Sequence, residues 1–396
     1  MHSNAQQLGS ALAIALTSLC AGAARAYDVN EQLAINLLLA GAGQCQEIAG
    51  DGDGVDQNRC RGAVPVQPEI IFNPTRRDQL FVKFGFAAGN GLNPVSPFAL
   101  APWAADLEAD VKDINGRDRS YLLEAWYAHT FQLSDTNKVQ VTGGIIDPAF
   151  YVNENAYAND EYTQFMNEAF VNSRTAFMPA YDVGGALVWK IDRLTLSGLG
   201  MNVGENADGN NYNWFGVEAD YNLQTPWGEG NYRVMYAGTS RAFLAPAAGL
   251  DPAPNPDLDP ALDLDSAAEP DPTDKEHLSS WLLSVDQAFG KMVGAFLRLG
   301  WQQEDALVDY QADYTAGFDF KGAGWGREND NIGIGYAYLE GGNGELARTN
   351  AVEGYYRLAF NDMLALTADV QYMKDKYRSG EDVEGWVFSL RAVAEF

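Results

Sequence analysis

Histidine and cysteine are scarce in this chain, three of each in 396 residues. Beyond the first residues the histidines are His129 and His277, far apart and with no thiol or second imidazole at ligand spacing, so nothing points to a zinc centre or any other cofactor. No serine pairs with either histidine in a recognisable hydrolase pattern, and no feature suggests an enzyme. Basic residues are also few: 26 Lys and Arg stand against 54 Asp and Glu, a net charge of −28. That balance excludes a nucleic-acid binder on electrostatic grounds. It suits a surface hydrated among like-charged lipid headgroups, or an organism from a salty habitat. Past residue 26 there is no apolar run of about eighteen residues, so no transmembrane helix is expected. Membrane residence stays open, because barrel strands alternate apolar and polar residues and leave the mean hydropathy negative.

The N-terminus reads as a secretory leader over residues 1–26. Leu8 to Leu19 is an apolar run, and Ala24-Arg25-Ala26 is a small-x-small site that places cleavage between Ala26 and Tyr27. Cys20 follows Thr17-Ser18-Leu19, which lacks the small residue that lipid modification needs. Export leaves Cys45 and Cys60, expected to form one disulfide around a Gly/Asp-rich turn and to contribute roughly 3 kcal/mol. Asp51, Asp53 and Asp56 in that turn faintly resemble a calcium loop; a cross-linked turn is the simpler reading.

What the chain does have is alternation. From Glu31 onward about sixteen segments of roughly nine to twelve residues alternate apolar and polar positions. In WVFSLRAVAEF, Trp386, Phe388, Leu390, Ala392, Ala394 and Phe396 share one face, and Ser389, Arg391 and Glu395 the other. So many strands carry charge on one face that this face must enclose water. Aromatics gather at strand ends (Tyr121, Tyr127, Phe131, Trp281, Trp301, Tyr336, Tyr338, Tyr372), as an interfacial girdle requires. Short turns alternate with long connections, the largest being the Pro/Asp-rich 245–277, read as a hydrated extracellular loop. The fold class is all-β: a transmembrane antiparallel barrel over 27–396, in the outer membrane of a Gram-negative bacterium, with both termini periplasmic.

One connection is different. After the strand ending at Ile146, the stretch DPAFYVNENAYANDEYTQFMNEAFVNS runs about thirty residues before the next strand at Val183. Phe165, Met166, Ala169 and Phe170 predict one short amphipathic helix over Glu161 to Ala169. This loop is expected to fold into the lumen and narrow it.

LEAWYAHTF with Trp126, GGIIDPAFYVNENAYANDEYTQFMNEAF, DNIGIGYAYLE near Asp330 and VEGYYRLAFNDMLALTADVQYM with the terminal Phe396 occur in order. Together they resemble the carbohydrate-selective, OprB-like porins of Gram-negative bacteria, across essentially the whole mature chain. The penultimate strand departs from the family, carrying Thr367-Ala368-Asp369-Val370-Gln371 where relatives often have proline. The resemblance implies a sixteen-stranded passive channel favouring small neutral sugars such as glucose. A terminal Phe396 on an amphipathic strand is shared by barrels delivered to the outer membrane by the barrel-assembly machinery.

A sugar in a wet pore needs hydrogen-bonding groups for its hydroxyls and an aromatic ring for its C–H face. Strand parity turns Glu124 and Trp126 to the lumen; Trp126 is either the sugar platform or packing beneath the infolded loop. Parity also turns Lys83, Arg233, Arg298, Arg357 and Arg391 inward, with Glu69, Glu218, Asp220, Glu353 and Asp369. Opposite the loop acids Asp147, Glu154, Asp160 and Glu161 they set a transverse field; for any one arginine, pairing within the wall is the simpler role. Asn153, Asn155 and Asn159 suit turns first and sugar contacts second. Arg117 and Arg119 are placed to reach the pore mouth. Two rivals remain: a non-selective or cation-preferring porin, and a structural or adhesion barrel whose long loops bind partners. A homotrimer and a monomer are equally open.

Overall fold

The computed structural model describes residues 27–49, 57–117, 119–246 and 274–396. The leader with its Ala26 side of the cleavage site, the aspartates of the Cys45–Cys60 turn and most of the Pro/Asp-rich segment lie outside the described residues.

Sixteen strands form one closed antiparallel sheet. In chain order they are β1 (Leu33–Ala49), β2 (Arg59–Phe72), β3 (Asp78–Phe84, continued by Phe86–Ala88), β4 (Leu122–Ser134), β5 (Asn137–Ile146) and β6 (Asp182–Ile191). Then come β7 (Leu194–Val203), β8 (Tyr212–Thr225), β9 (Gly228–Thr239), β10 (Ser279–Phe289) and β11 (Val293–Gln302). The last five are β12 (Tyr310–Lys321), β13 (Asn331–Gly341), β14 (Leu346–Ala359), β15 (Leu364–Tyr377) and β16 (Val383–Glu395). Each pairs with its sequence neighbours, and β1 pairs with β16 from Leu38↔Glu395 to Ala49↔Glu384. The seam is completed by Phe396, whose N–H donates to Leu37 O at 3.0 Å while Leu37 N–H donates to Phe396 O at 3.1 Å. A short N-terminal strand, Tyr27–Asn30, pairs with the first residues of β1 beyond that point. Closure leaves no sheet edge, the condition for strands to cross lipid.

The turns explain the hairpins. Ile191 pairs with Leu194, leaving Asp192-Arg193 as a two-residue turn in which Asp192 takes the left-handed conformation (φ 54°) that aspartate tolerates. These tight turns share one end with both termini, which is the periplasmic end; the long connections share the other. β3 is interrupted at Gly85, whose N–H donates to Tyr121 O at 2.9 Å, and the position is glycine because a Cβ there would meet Leu123 Cδ1 at 2.7 Å and Val111 Cγ1 at 2.9 Å.

Burial is inverted relative to a soluble protein. Trp281 is 56 % exposed on the outer wall, whereas Glu353 and Arg391 are fully buried inside. Trp281, Trp301 and Trp386 mark the outer face towards the extracellular end, and Trp189, Tyr221 and Trp227 towards the periplasmic end. His129, as its parity requires, lies on the outer-wall side with Tyr127 and Phe131, bonded to Asp78 at 2.7 Å.

Cys45 and Cys60 are directly opposed in the β1–β2 register and joined by a disulfide. Replacing both by serine is expected to lower the temperature at which the folded barrel converts to its unfolded gel form, in line with a loss of roughly 3 kcal/mol. Strand content by circular dichroism stays as in the parent chain. An unshifted transition would show that barrel closure alone holds this rim.

Candidate functional site

Two loops, not one, fold into the lumen. Residues 147–181 do so as their sequence suggests, and residues 89–117 join them. Leu92, Leu100, Trp103 and Leu107 are buried there, an apolar content too high for a solvated extracellular loop. That composition was the available signal for the second loop. The loops are stitched together: Ala104 N–H donates to Met166 O at 2.9 Å, Glu168 N–H to Ala101 O at 3.1 Å, and Trp103 Nε1 to Glu161 O at 3.0 Å.

The helix expected over Glu161 to Ala169 is not formed; the only α-helical turn here is Glu168–Val171, capped by Asn167. The barrel wall has captured the groups a longer helix would use. Arg391 donates to Glu161 O (2.6 Å) and Gln164 O (2.8 Å), while the Glu353 carboxylate accepts from Met166 N–H (2.5 Å) and Asn167 N–H (2.9 Å). Upstream, Asp160 accepts from the N–H groups of Tyr162 and Thr163, an Asx turn. The apolar residues are buried nonetheless, on two sides: Phe165 stacks on Phe170 and meets Phe296 and Tyr355 edge-on, whereas Met166 packs with Trp103 and Tyr162.

Arg298, Glu218 and Asp313 on the wall work the same way. Arg298 donates to the carbonyls of Phe170 (2.8 Å), Val171 (3.1 Å) and Asn153 (3.1 Å) and to Asn159 Oδ1 (3.0 Å). Glu218 accepts from Asn153 N–H and Asp313 from Arg174 N–H. Arg233 is bound by Asp286 and Asp220. Arg298, Arg391 and Arg233 are therefore buried struts that solute does not reach.

A cavity of about 1250 Å³ passes between the loops and the wall. It is lined at the periplasmic end by Asn36, Glu395 and Phe396 and at the extracellular end by Asn206, Phe243 and Gln302, so it crosses the barrel. Registers Glu69↔Lys83 and Lys83↔Glu124 set three ionisable side chains in a row across β2, β3 and β4, of which Glu69 and Lys83 line the cavity. Loop residues Asp106 and Asp147 add their charges beside Lys83. Asp106 is held by Gln67 Nε2 (2.8 Å) and Tyr181 Oη (2.7 Å), and the Lys83 ammonium lies 5.7 Å from the Tyr181 ring centroid. Lys83 and Arg174 are the cationic lining residues against eleven acids, and Arg174 is itself paired with Glu168.

Lys83, Asp147, Asn159, Asp160 and Glu161 line this cavity. Glu124 sits behind it, its carboxylate accepting from Trp126 Nε1 at 3.0 Å. Trp126 stacks on Phe81 (centroids 5.0 Å, 26°) beneath the loop and does not line the cavity. Asn153 (φ 65°) and Asn155 are buried turn residues, the latter donating to Ser284 Oγ at 3.2 Å. Arg117 and Arg119 tie down loop ends: Arg117 donates to Asn202 O (3.0 Å), and Arg119 donates to Leu123 O at 3.3 Å. Arg357 donates to Asn329 O, in the periplasmic turn. Among the lining residues not singled out from sequence are Asp106, Asp110, Tyr181 and Phe150. Among the described residues no cluster of His, Cys and carboxylates is arranged to hold a metal.

Glu161 and Asp147 are among the loop carboxyls raised above their ordinary range. Burial pushes Glu161 up to about 8, assisted by Asp160 and Asp106. Burial likewise raises Asp147, opposed by Lys83. The folded protein thus holds the Glu161 proton more tightly than an unfolded chain with a pKa of 4.5. Its contribution to stability is complete below that value and is lost as pH rises through about 8.

A model of the carbohydrate-selective porin, OprB family, matches residues 104–376 of this chain. An uncharacterized protein of Aquifex aeolicus is 27 % identical over 322 residues, 80 % of this chain and 86 % of the relative. The high-pH structure of Pseudomonas putida OprB superposes with a TM-score of 0.70 at 13 % identity, covering 93 % of this chain and 95 % of that one. In-vitro folded OmpT, an outer membrane protein of Vibrio cholerae, superposes at 0.54 with 9 % identity over 93 % and 98 %. At these identities the superpositions establish the fold alone.

Replacing Arg298 by methionine leaves four loop acceptors unpaired and is expected to cost about 3–5 kcal/mol. Single-channel conductance should then rise and protease should cut within 147–181. In a salt gradient, cation over anion selectivity read from the reversal potential should increase between about pH 7 and pH 9 as Glu161 ionises. Glu161→Gln should remove that step.

Proposed function

The chain belongs to the carbohydrate-selective porin family, OprB, and from that premise we propose that it is a passive outer-membrane channel for monosaccharides, glucose among them. Porins of this kind are channels, not enzymes. The observation that supports a sugar-sized filter is the double closure of the lumen. Two loops locked to the wall by buried charges leave a passage lined by carboxylates, the Glu69–Lys83 row and a few aromatic rings. Fixed acceptors and a fixed ammonium replace the water around a polyhydroxylated solute, and the rigid gap limits its width. No gradient or cofactor is drawn on. Phe396, built into the seam, is proposed as the feature read by the barrel-assembly machinery.

One observation favours a second reading. The excess of acids over Lys83 and Arg174 along the passage suits a cation-preferring general porin. Liposome swelling separates the two. A sugar channel admits glucose much faster than a disaccharide of the same chemistry, and added glucose lowers its salt conductance in a planar bilayer. Equal swelling rates with conductance indifferent to glucose would make it a general, cation-preferring pore.

A further inference from the structure

We propose that Phe150 is the aromatic platform on which a hexopyranose lies in this channel, with the Glu69–Lys83 row and Asp147 receiving its hydroxyls. This rests on the sugar-channel reading above and names the subsite that performs it.

The ring is exceptional for where it is. Phe150 is 61 % exposed yet lines the internal cavity, so a large apolar surface faces water inside the barrel. Leaving it wet forgoes the hydrophobic gain that packing would bring. The ring has not been left there by a loose loop. It ends the turn Pro148–Phe150, whose entry is fixed by Pro148 and by Asp147 Oδ1 accepting from Ala149 N–H at 2.9 Å. Beyond it, Tyr151 and Val152 are buried in a core with Ile146, Met201 and Trp214, and Asn153 N–H is held by Glu218. Tyr151, its aromatic neighbour, meets it in a T-shaped contact (centroids 5.3 Å, 80°), so the two rings are not stacked face to face.

Polar groups of the right kind are adjacent. Asp147 is three residues back along the same turn and lies in the field of Lys83, which pairs in register with Glu69. Glucopyranose carries its hydroxyls equatorially and its C–H bonds axially, presenting an apolar face and a polar rim. An open ring lining the same cavity as an ammonium and two carboxylates matches both. Trp126 has one face on Phe81 and its N–H on Glu124, and it does not line the cavity. The inference therefore extends to selectivity: a linear polyol with as many hydroxyls but no rigid C–H face binds this subsite poorly.

The test is glucose titration of single-channel conductance with the full-length protein, set beside Phe150→Leu and Phe150→Tyr, with sorbitol as the second solute. In the parent chain glucose reduces conductance at lower concentration than sorbitol does. Phe150→Leu, which keeps apolar bulk but loses the ring face, raises the half-blocking glucose concentration about fivefold and erases the preference over sorbitol; Phe150→Tyr keeps both. Glucose block unchanged in Phe150→Leu would overturn the platform while leaving the sugar channel standing. Absence of block in the parent chain would sink the sugar-channel reading, and the platform with it.

Discussion

The structure depends on charged side chains of the wall hydrogen-bonding to the backbone of the loops they face. Arg298, Arg391 and Glu353 are fully buried, and their partners are carbonyl and amide groups of residues 153–171. A bare charge in such a place would be prohibitively unstable, and an unpaired peptide group there would cost several kcal/mol. Each satisfies the other. The loop can leave solvent only because the wall supplies donors and acceptors at matching heights, and the wall can carry buried charge only because the loop covers it. Short charge-assisted bonds at many points make the closure rigid rather than a flap.

That arrangement divides the luminal charges into two sets. Those on β8 to β16 are mostly consumed in holding the loop: Glu218, Arg233, Asp313 and Glu353 bond to it or to one another. Glu69 on β2 and Lys83 on β3 face the passage with Asp106 and Asp147. The charged stretch of the passage therefore belongs chiefly to β2, β3 and the two infolded loops, while other strands line its ends. The chain's acid surplus reaches into this gap, so anionic solutes meet repulsion while neutral, hydroxyl-rich ones meet acceptors.

The barrel was legible because period-two alternation and the short-long rhythm of connections are local properties of the chain. Strand number, the inward parity of Lys83, Arg298 and Arg391 and the outward parity of His129 all follow from that count. What the parity of Arg298 could not convey is its partner, since Phe170 O lies 128 residues away and is a backbone atom with no side-chain signature. The helix over Glu161 to Ala169 failed for the same reason. Its apolar spacing was real, but distant wall charges took the peptide groups that intrahelical bonds require. Trp126 read equally as platform or packing because strand parity says which face a ring is on and nothing about what folds over it.

Phe150 was hidden by the opposite problem. An aromatic residue just after Asp147-Pro148 reads as ordinary loop filling, and only the path of the chain shows its neighbours buried while it stays wet. The reason is mechanical. Asp147 begins the turn at the end of β5, and the buried Tyr151 and Val152 pull the chain back against the wall, so the residue between them is pressed outward into the passage. The same bonds that anchor the loop fix where that ring points. A filter assembled this way needs no moving part: the wall charges set the loop, the loop sets the gap and the ring, and the solute meets a surface already in place.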